Sequence, residues 1–468
     1  MGRQSARMYF NGADHKEVYF NGSYHDAMYL TDSNANAELI WQKLQDSDYF
    51  SVRVIDYMVD YESGEMPSGG VGGYVAFNIS TNKGQAYTID WGDGTVTKNR
   101  NNHTYATGNG TRYTVKIYGE SFQFSAPTAY ANKICTCITE ILTPIKRGMS
   151  VNSYDYENDV PSFASMFAYC SLLREIPEDL FKNVKDYEMV NCSGMFQYCG
   201  LSDIPTGLFS GVKNWMIGGF YIGCNGLLSI PHGAFTGGGF YPESSSRVFE
   251  QCANLRFVYD YPEGSLPTFT GTKVEVVDCF FKNVSNVNGL FNGLTTLTTV
   301  SDKLFKYCPE ITSATYLFND CANLKGIPEG LFDGLDLLED VRYCFYGCSS
   351  VNSVPHDLFH DCYSITNFMM CFQGTNIEEI PSDLFASING SQINFASTFQ
   401  NTPIRAIPLG LFDGCKEDSN FQSTFMGCSD VVSNVPDLWN YSDNGWRCYN
   451  GCTNASNYDE IPDRWKNL

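Results

Sequence analysis

Across the last three hundred or so residues of this 468-residue chain one motif returns about ten times with its spacing intact. An aromatic residue is followed three positions on by a small apolar one, then by aliphatics three and six further, then by Pro and Leu-Phe. One copy reads Phe167, Cys170, Leu173, Ile176-Pro177 and Leu180-Phe181. The prolines recur at Pro177, Pro205, Pro231, Pro328, Pro355, Pro381, Pro408, Pro436 and Pro462, and adjacent copies are 26 to 28 residues apart. A period of that length predicts a solenoid, because each repeat cannot bury its apolar face alone and must stack on its neighbours. Apolar steps of three match neither the 3.6 period of a helix nor the 2.0 period of a strand, so each rung is expected to be mostly coil with one short strand.

The cysteines follow the same columns. The slot three after the aromatic holds Cys170, Cys199, Cys224, Cys252, Cys321, Cys348, Cys428 and Cys452, yet also Leu294, Thr375 and Thr402. The slot before the aromatic alternates between Cys344, Cys371, Cys448 and Met166, Met195, Leu317, Thr424. A half-cystine cannot be exchanged for Leu or Met, so the 18 cysteines are expected to be reduced core thiols rather than a disulfide framework. Cys135 and Cys137, one residue apart, lack the spacing of a zinc or redox motif.

Ahead of the repeats the chain changes character. Residues 1–66 are expected to be an attachment segment of hairpins and a short helix. Met8-Tyr9-Phe10-Asn11-Gly12, Val18-Tyr19-Phe20-Asn21-Gly22 and Met28-Tyr29-Leu30 read as strands running into Asn-Gly turns. Ile40, Trp41 and Leu44 have helical spacing over 37–44, and 49–60 alternates as a strand. A Gly-rich linker at 63–73 leads to strands at 74–79, 86–91 and 113–118, a compact β-sandwich. Residues 127–162 show no period and read as a connector.

Trp91-Gly92-Asp93-Gly94-Thr95, His103-Thr104-Tyr105 and Tyr113-Thr114-Val115 resemble the signature of the polycystic-kidney-disease (PKD) type of immunoglobulin-like domain, placed within 67–126. The resemblance implies a spacer or adhesive module. Trp91, Asp93 and Gly94 are read as turn-forming: Asp93 can accept from backbone amides, and Gly94 can take positive φ. Asp90 and Asp93 alone offer too few oxygens for calcium. Over 163–468, Phe318, Cys321, Leu324, Ile327-Pro328 and Leu331-Phe332 resemble the BspA-like class of leucine-rich repeats, which occurs in bacterial surface proteins and in virions of gut-bacterial phages. Together these readings make the chain mainly β: hairpins, a PKD-like sandwich, then a leucine-rich-repeat solenoid. Around 236–290 the pattern loosens, and an insertion bulging from the stack is expected there. The loops at 236–247 and 259–273, with Phe240, Tyr241, Tyr259 and Tyr261, are candidate ligand contacts.

Catalytic chemistry is not expected. His356 and His360 stand four apart, but the same slots elsewhere hold Glu178, Thr206, Glu329 and Ser382, or Lys182, Ser210, Asp333 and Asp413. Slots so permissive face solvent. No phosphate loop, nucleophile elbow or dinucleotide fingerprint stands in context, so no cofactor and no metal is expected. A formal charge of −22 disfavours nucleic acid, and no run approaches a membrane span. No apolar segment follows the basic N-terminus as in a secretory signal, which fits assembly in the host cytoplasm.

The leading expectation is a non-enzymatic phage virion protein (tail fibre, tail tip or head fibre). It would attach to other virion proteins by its N-terminus and bind host-surface glycan or protein through the repeats, as a possible homo-oligomer. The alternatives are a decoration protein that binds only virion partners, and a secreted bacterial adhesin at the cell surface.

Overall fold

The structure is a computed structural model. It describes residues 49–66 apart from 61 and 64, 72–126 apart from 82–84, 128–150 apart from 131–132 and 147, and 160–466 apart from 242–245 and 264–267, together with short strands before residue 49. The chain is mainly β with almost no helix, and it divides into two units, residues 1–186 and 187–468.

In the first unit β1 (Ser5–Ala6) pairs antiparallel with β2 (Val18–Tyr19), and β3 (Ala27–Thr31) with β4 (Ala37–Gln42). The segment read as helical is therefore a strand: contacts at i+3 and i+4 over eight residues cannot outvote cross-strand pairing. The Asn-Gly turns at 11–12 and 21–22 lie outside the described residues.

β5 (Tyr49–Asp60) is the centre of a six-stranded sheet, and nine of its twelve residues are buried. The expected strand at 74–79 is split into β6 (Tyr74–Ala76) and β7 (Asn78–Ser80) at Phe77, whose ring is buried and whose amide donates to the Asn101 carbonyl. β8 (Thr88–Asp90), β9 (Val96–Lys98), β10 (Asn102–Thr104), β11 (Arg112–Tyr118) and β12 (Phe122–Ser125) follow. The segment read as a connector then contributes β13 (Thr128–Tyr130), β14 (Lys133–Ile141) and β15 (Met149–Ser150). β14 lies beside β5 through two bulges, giving the sheet order β13-β14-β5-β11-β8-β9. Bulges shift the alternation of side chains, which is why no period was visible there. The first repeat joins this unit: Glu175 bridges Glu140 in parallel, and Phe167 packs on Phe50 and Phe124 at 6.2 and 5.9 Å.

The second unit is a stack of parallel rungs. Ala314, Tyr316, Phe318 and Asp320 donate their amides to the carbonyls of Asp340, Arg342, Cys344 and Tyr346, at 2.7–3.1 Å. Val341, Tyr343, Phe345 and Gly347 repeat the pattern onto Asn367, Met369, Cys371 and Gln373. The intervening amides of Leu317, Asn319 and Cys321 close local turns onto Ala314, Tyr316 and Phe318. Alternate amides thus point along the stack because two residues per rung are left-handed, two before and two after the aromatic. Tyr316 and Asp320 have φ of 57° and 57°, Met370 and Gly374 55° and 72°, Ser397 and Asn401 56° and 58°. For a non-glycine residue that conformation costs about 1–2 kcal/mol, and the bonds to the next rung offset it.

Two further ladders lock the register. Core rings stack face to face: Phe291, Phe318, Phe345, Phe372, Phe399 and Phe425 lie 5.1–5.6 Å apart, tilted by 3–11°. Outside, Asp340, Asn367, Asn394 and Asn420 bridge in parallel, and each accepts from the amide two residues ahead at 3.0–3.2 Å. Trp465, on the four-residue helix α1 (Asp463–Lys466), covers the ring of Tyr449 at 6.2 Å, and the amides of Arg447 and Tyr449 donate to the carbonyls of Arg464 and Trp465.

Among its described residues, the stretch expected to bulge keeps the strand column of the stack. β16 (Met189–Asn191) and β17 (Asn214–Met216) pair in parallel, and β18 (Ser229–Ile230), β19 (Phe257–Val258), β20 (Val276–Val277) and β21 (Thr299–Val300) form a continuous parallel sheet. Ser229 faces Phe257, Phe257 faces Val276 and Val276 faces Thr299. The rungs there are of unequal length, 28, 19 and 23 residues from strand to strand, which broke the regular spacing of the prolines while keeping the strand column.

All 18 cysteines are buried free thiols. In the column three after the aromatic they act as donors to the previous rung. Cys224, Cys252, Cys321 and Cys348 each give Sγ–H to the carbonyl of Phe196, Tyr221, Phe291 and Phe318, all at 3.0 Å. Thr375 and Thr402 in the same slot donate instead within their own rung, to the carbonyls of Phe372 and Phe399 three residues back, at 2.8 and 2.7 Å. Either residue thus finds a core carbonyl for its buried donor, which is why Cys and Thr interchange. Cys348→Thr should therefore be less destabilising than the isosteric Cys348→Val by about 1 kcal/mol, the net worth of one buried hydrogen bond, read from urea midpoints; equal midpoints would remove the donor role.

Burial pushes Cys308 and Cys428 up to about 11 and Cys252, Cys321, Cys362 and Cys415 up to about 12. Folding thus holds protons that the unfolded chain releases from about pH 8.5 upward. The thiol contribution to stability should be whole below that pH and fall progressively between about pH 9 and 12. A thermal midpoint flat across that window in a pH titration would contradict it.

Candidate functional site

The motif that resembles the PKD signature builds a closed knot. Asp90 Oδ1 accepts from the Gly92 amide and Asp93 Oδ1 from the Thr95 amide, both at 2.9 Å. Gly92 has φ of 81°, and a Cβ there would meet the Thr114 carbonyl oxygen at 2.5 Å, so this position excludes any side chain. Gly94 is also left-handed, φ 92°, but its surroundings are open. Asp93 Oδ2 meets His103 Nε2 at 2.8 Å. Burial alone would raise the Asp93 carboxyl, but the bonds from His103 and Thr95 outweigh it and hold the group below its ordinary range. Trp91 is fully buried between Phe77 and His103, and Tyr105 donates its hydroxyl to the Trp91 carbonyl at 2.8 Å. Both Asp93 carboxylate oxygens, the Trp91 carbonyl and the Trp91 indole, which donates to Thr97 Oγ1 at 2.9 Å, thus have internal partners. Among the described residues no cluster of three or more His, Cys, Asp or Glu could hold a metal ion.

The four candidate contact residues separate. Phe240 is buried against Phe209 and Phe235 at 5.6 and 5.7 Å, and Tyr261 is buried against Phe249, Phe269 and Phe281 at 5.5–5.8 Å. Neither ring can meet a ligand without opening the core, so the contact role assigned to them is corrected. Each lies where the chain turns inward to continue the stack, which a loop reading of the sequence hid. Tyr241 is exposed, and Tyr259 is half-buried beside His232 at 5.0 Å. His356 and His360 are both exposed and pair with different carboxylates, Asp383 and Asp361, each at 2.9 Å.

The most developed exposed feature was not singled out by the sequence. Tyr316 and Tyr343 occupy the same slot on neighbouring rungs, two before the core aromatic, and their rings stack at 4.5 Å with a tilt of 15°. Tyr346 joins them at 5.7 Å, and Tyr316 is 40% exposed. Burial, followed by the neighbouring Tyr316, raises the Tyr343 phenol above its ordinary range. Both backbones are fixed at φ 57° by the inter-rung bonds, so the rings are held outward on a rigid edge. Along the array this slot reads Ser165, Gly194, Gly219, Arg247, Gly289, Tyr316, Tyr343, Met370, Ser397, Ser423 and Arg447. Such variety looks random in sequence; only the shared left-handed geometry reveals a column.

No family model matches the chain, and no curated protein matches it. Among solved structures, the Toll–Spatzle complex, described as a molecular hub in Drosophila development and innate immunity, aligns at 14% identity and a TM-score of 0.23, over 56% of this chain and 42% of that one. The TLR13–ssRNA13 complex aligns at 14% identity and a TM-score of 0.16, over 63% and 53%. The chain thus spans about half the length of these structures, and likenesses at such scores carry no argument about it.

A double-mutant cycle of Tyr316→Ala and Tyr343→Ala should give a coupling of about 0.5–1.5 kcal/mol, the worth of a stacked aromatic pair beyond its area. Additive losses in unfolding free energy would show that the two rings do not touch in solution.

Proposed function

We propose that the chain is a non-enzymatic attachment protein of a phage virion, a tail fibre, tail tip or head fibre. In this reading the second unit, with the first repeat, is a BspA-like leucine-rich-repeat solenoid, and the strands within 67–126 form a PKD-like spacer. The N-terminal segment joins other virion proteins, and the array meets carbohydrate or protein on the host surface.

The observation that carries the reading is the tyrosine stack, in which Tyr316 is exposed and Tyr343 and Tyr346 are half-buried beside it. Large rings displayed to water are unfavourable unless a partner covers them, and rings already fixed by the backbone lose little entropy on binding. The formal charge of −22 supports a partner other than nucleic acid. A decoration protein contacting only virion partners is the competing assignment.

Binding of the full chain to host cells decides between them. Attachment predicts retention on cells and a loss of about tenfold or more in Tyr316→Ala/Tyr343→Ala, as for a central contact, with the fold intact by circular dichroism. No retention by the native chain would favour the decoration role. Retention unchanged in the double variant would move the contact away from this edge.

A further inference from the structure

The tyrosine column stops abruptly at Gly289. Gly289 belongs to the rung before Tyr316, its amide donating to the Thr315 carbonyl at 2.9 Å, and its φ of 64° matches the 57° of Tyr316 and Tyr343. One face of the Tyr316 ring is covered by Tyr343, stacked nearly parallel. The slot against the opposite face is Gly289, which has no side chain to fill it. A Cβ built there would meet nothing nearer than the Asn292 Cβ at 3.8 Å, and one built on Gly293, on the same turn, would meet nothing within 4 Å. The result is a notch with an aromatic wall and a glycine floor.

Its rim is polar and tied down. Asn292 is exposed, and its Oδ1 accepts from Asn319 Nδ2 at 2.9 Å; the same Nδ2 donates to Asp320 Oδ2 at 2.9 Å. A flat apolar wall beside anchored amide and carboxylate groups is complementary to one class of ring. The C–H face of a pyranose packs on an aromatic face while its hydroxyls at the edge donate to and accept from amide and carboxylate groups. A carboxylate at the rim, in a chain of formal charge −22, disfavours acidic sugars.

We propose that the Gly289 notch is a binding site for one neutral pyranose ring of a surface glycan, stacked on Tyr316 and oriented by Asn292. The proposal rests on the attachment reading above and names its ligand class. Glycine fills the same left-handed slot at Gly194 and Gly219, but of these glycines only Gly289 lies on the rung next to a tyrosine of the column, at a position whose backbone accepts Tyr, Met, Ser or Arg on other rungs.

That tolerance supplies the test. Gly289→Tyr extends the column into the notch without asking for a new backbone conformation. The full-length chain, Gly289→Tyr and Tyr316→Ala are compared by saturation-transfer NMR with methyl glycosides of glucose, galactose, mannose and N-acetylglucosamine, with the methyl glycoside of N-acetylneuraminic acid as the acidic probe, and by retention on host cells. The expected result is a signal from at least one neutral glycoside, weakened about tenfold or more in both variants, no signal from the acidic glycoside, and an unchanged or higher thermal midpoint for Gly289→Tyr. A glycoside bound equally by native protein and Gly289→Tyr overturns the notch and leaves a carbohydrate ligand elsewhere. Cells retained with no glycoside bound overturn the notch and leave attachment standing through a protein contact. Glycosides bound through the notch without retention on cells uphold the site and overturn the host-attachment reading.

Discussion

The rungs of the second unit hold together because every second amide points along the stack. This direction is produced by left-handed residues two before and two after each core aromatic, and the aromatic itself donates between them. Without that alternation these amides would close only local turns, and neighbouring rungs would keep only the backbone bonds of the strand column, such as Glu339 to Thr312 and Thr366 to Glu339, and their side-chain contacts. With it, consecutive rungs share a ladder of four bonds, as Ala314 to Asp320 do with Asp340 to Tyr346. The stacked phenylalanines, the asparagine bridges and the thiol donors are all set in register by this ladder. Each of them contributes a column whose spacing the backbone has already fixed.

The parts of this arrangement written in apolar spacing were legible beforehand. Phe318, Cys321, Leu324 and Ile327 are buried as a period of 26 to 28 residues requires, because hydrophobic columns leave the same imprint in every repeat. What escaped the sequence was written in backbone geometry. Tyr316, Met370, Ser397 and Arg447 share a conformation but no chemistry, so nothing in their identity marks a column. Gly238 and Gly239 suggested a loop, yet a Cβ at Gly239 would strike the Lys213 carbonyl oxygen at 1.9 Å, so there the glycine serves close packing between rungs. Ile40 and Trp41 were misread for a simpler reason: over so few residues, helical and strand patterns overlap.

A scaffold of this kind separates stability from display. The inward slots are filled by rings, aliphatics and thiols that cannot vary without loss, while the slot two before the aromatic takes glycine, tyrosine, methionine, serine or arginine on one fixed backbone. A binding surface can therefore be changed one rung at a time. The exposed Tyr316, the half-buried Tyr343 and the open Gly289 are three successive choices at that slot, and their order creates both a wall and a space beside it.

Amide hydrogen exchange followed by mass spectrometry tests the ladder most directly. Peptides covering 314–321, 341–348, 368–375 and 395–402 should be protected together and to a similar degree, since each set of donors depends on the rung that follows. Exchange in those peptides at the rate of an unstructured chain, with protection confined to the Pro-Leu-Phe segments, would contradict the account.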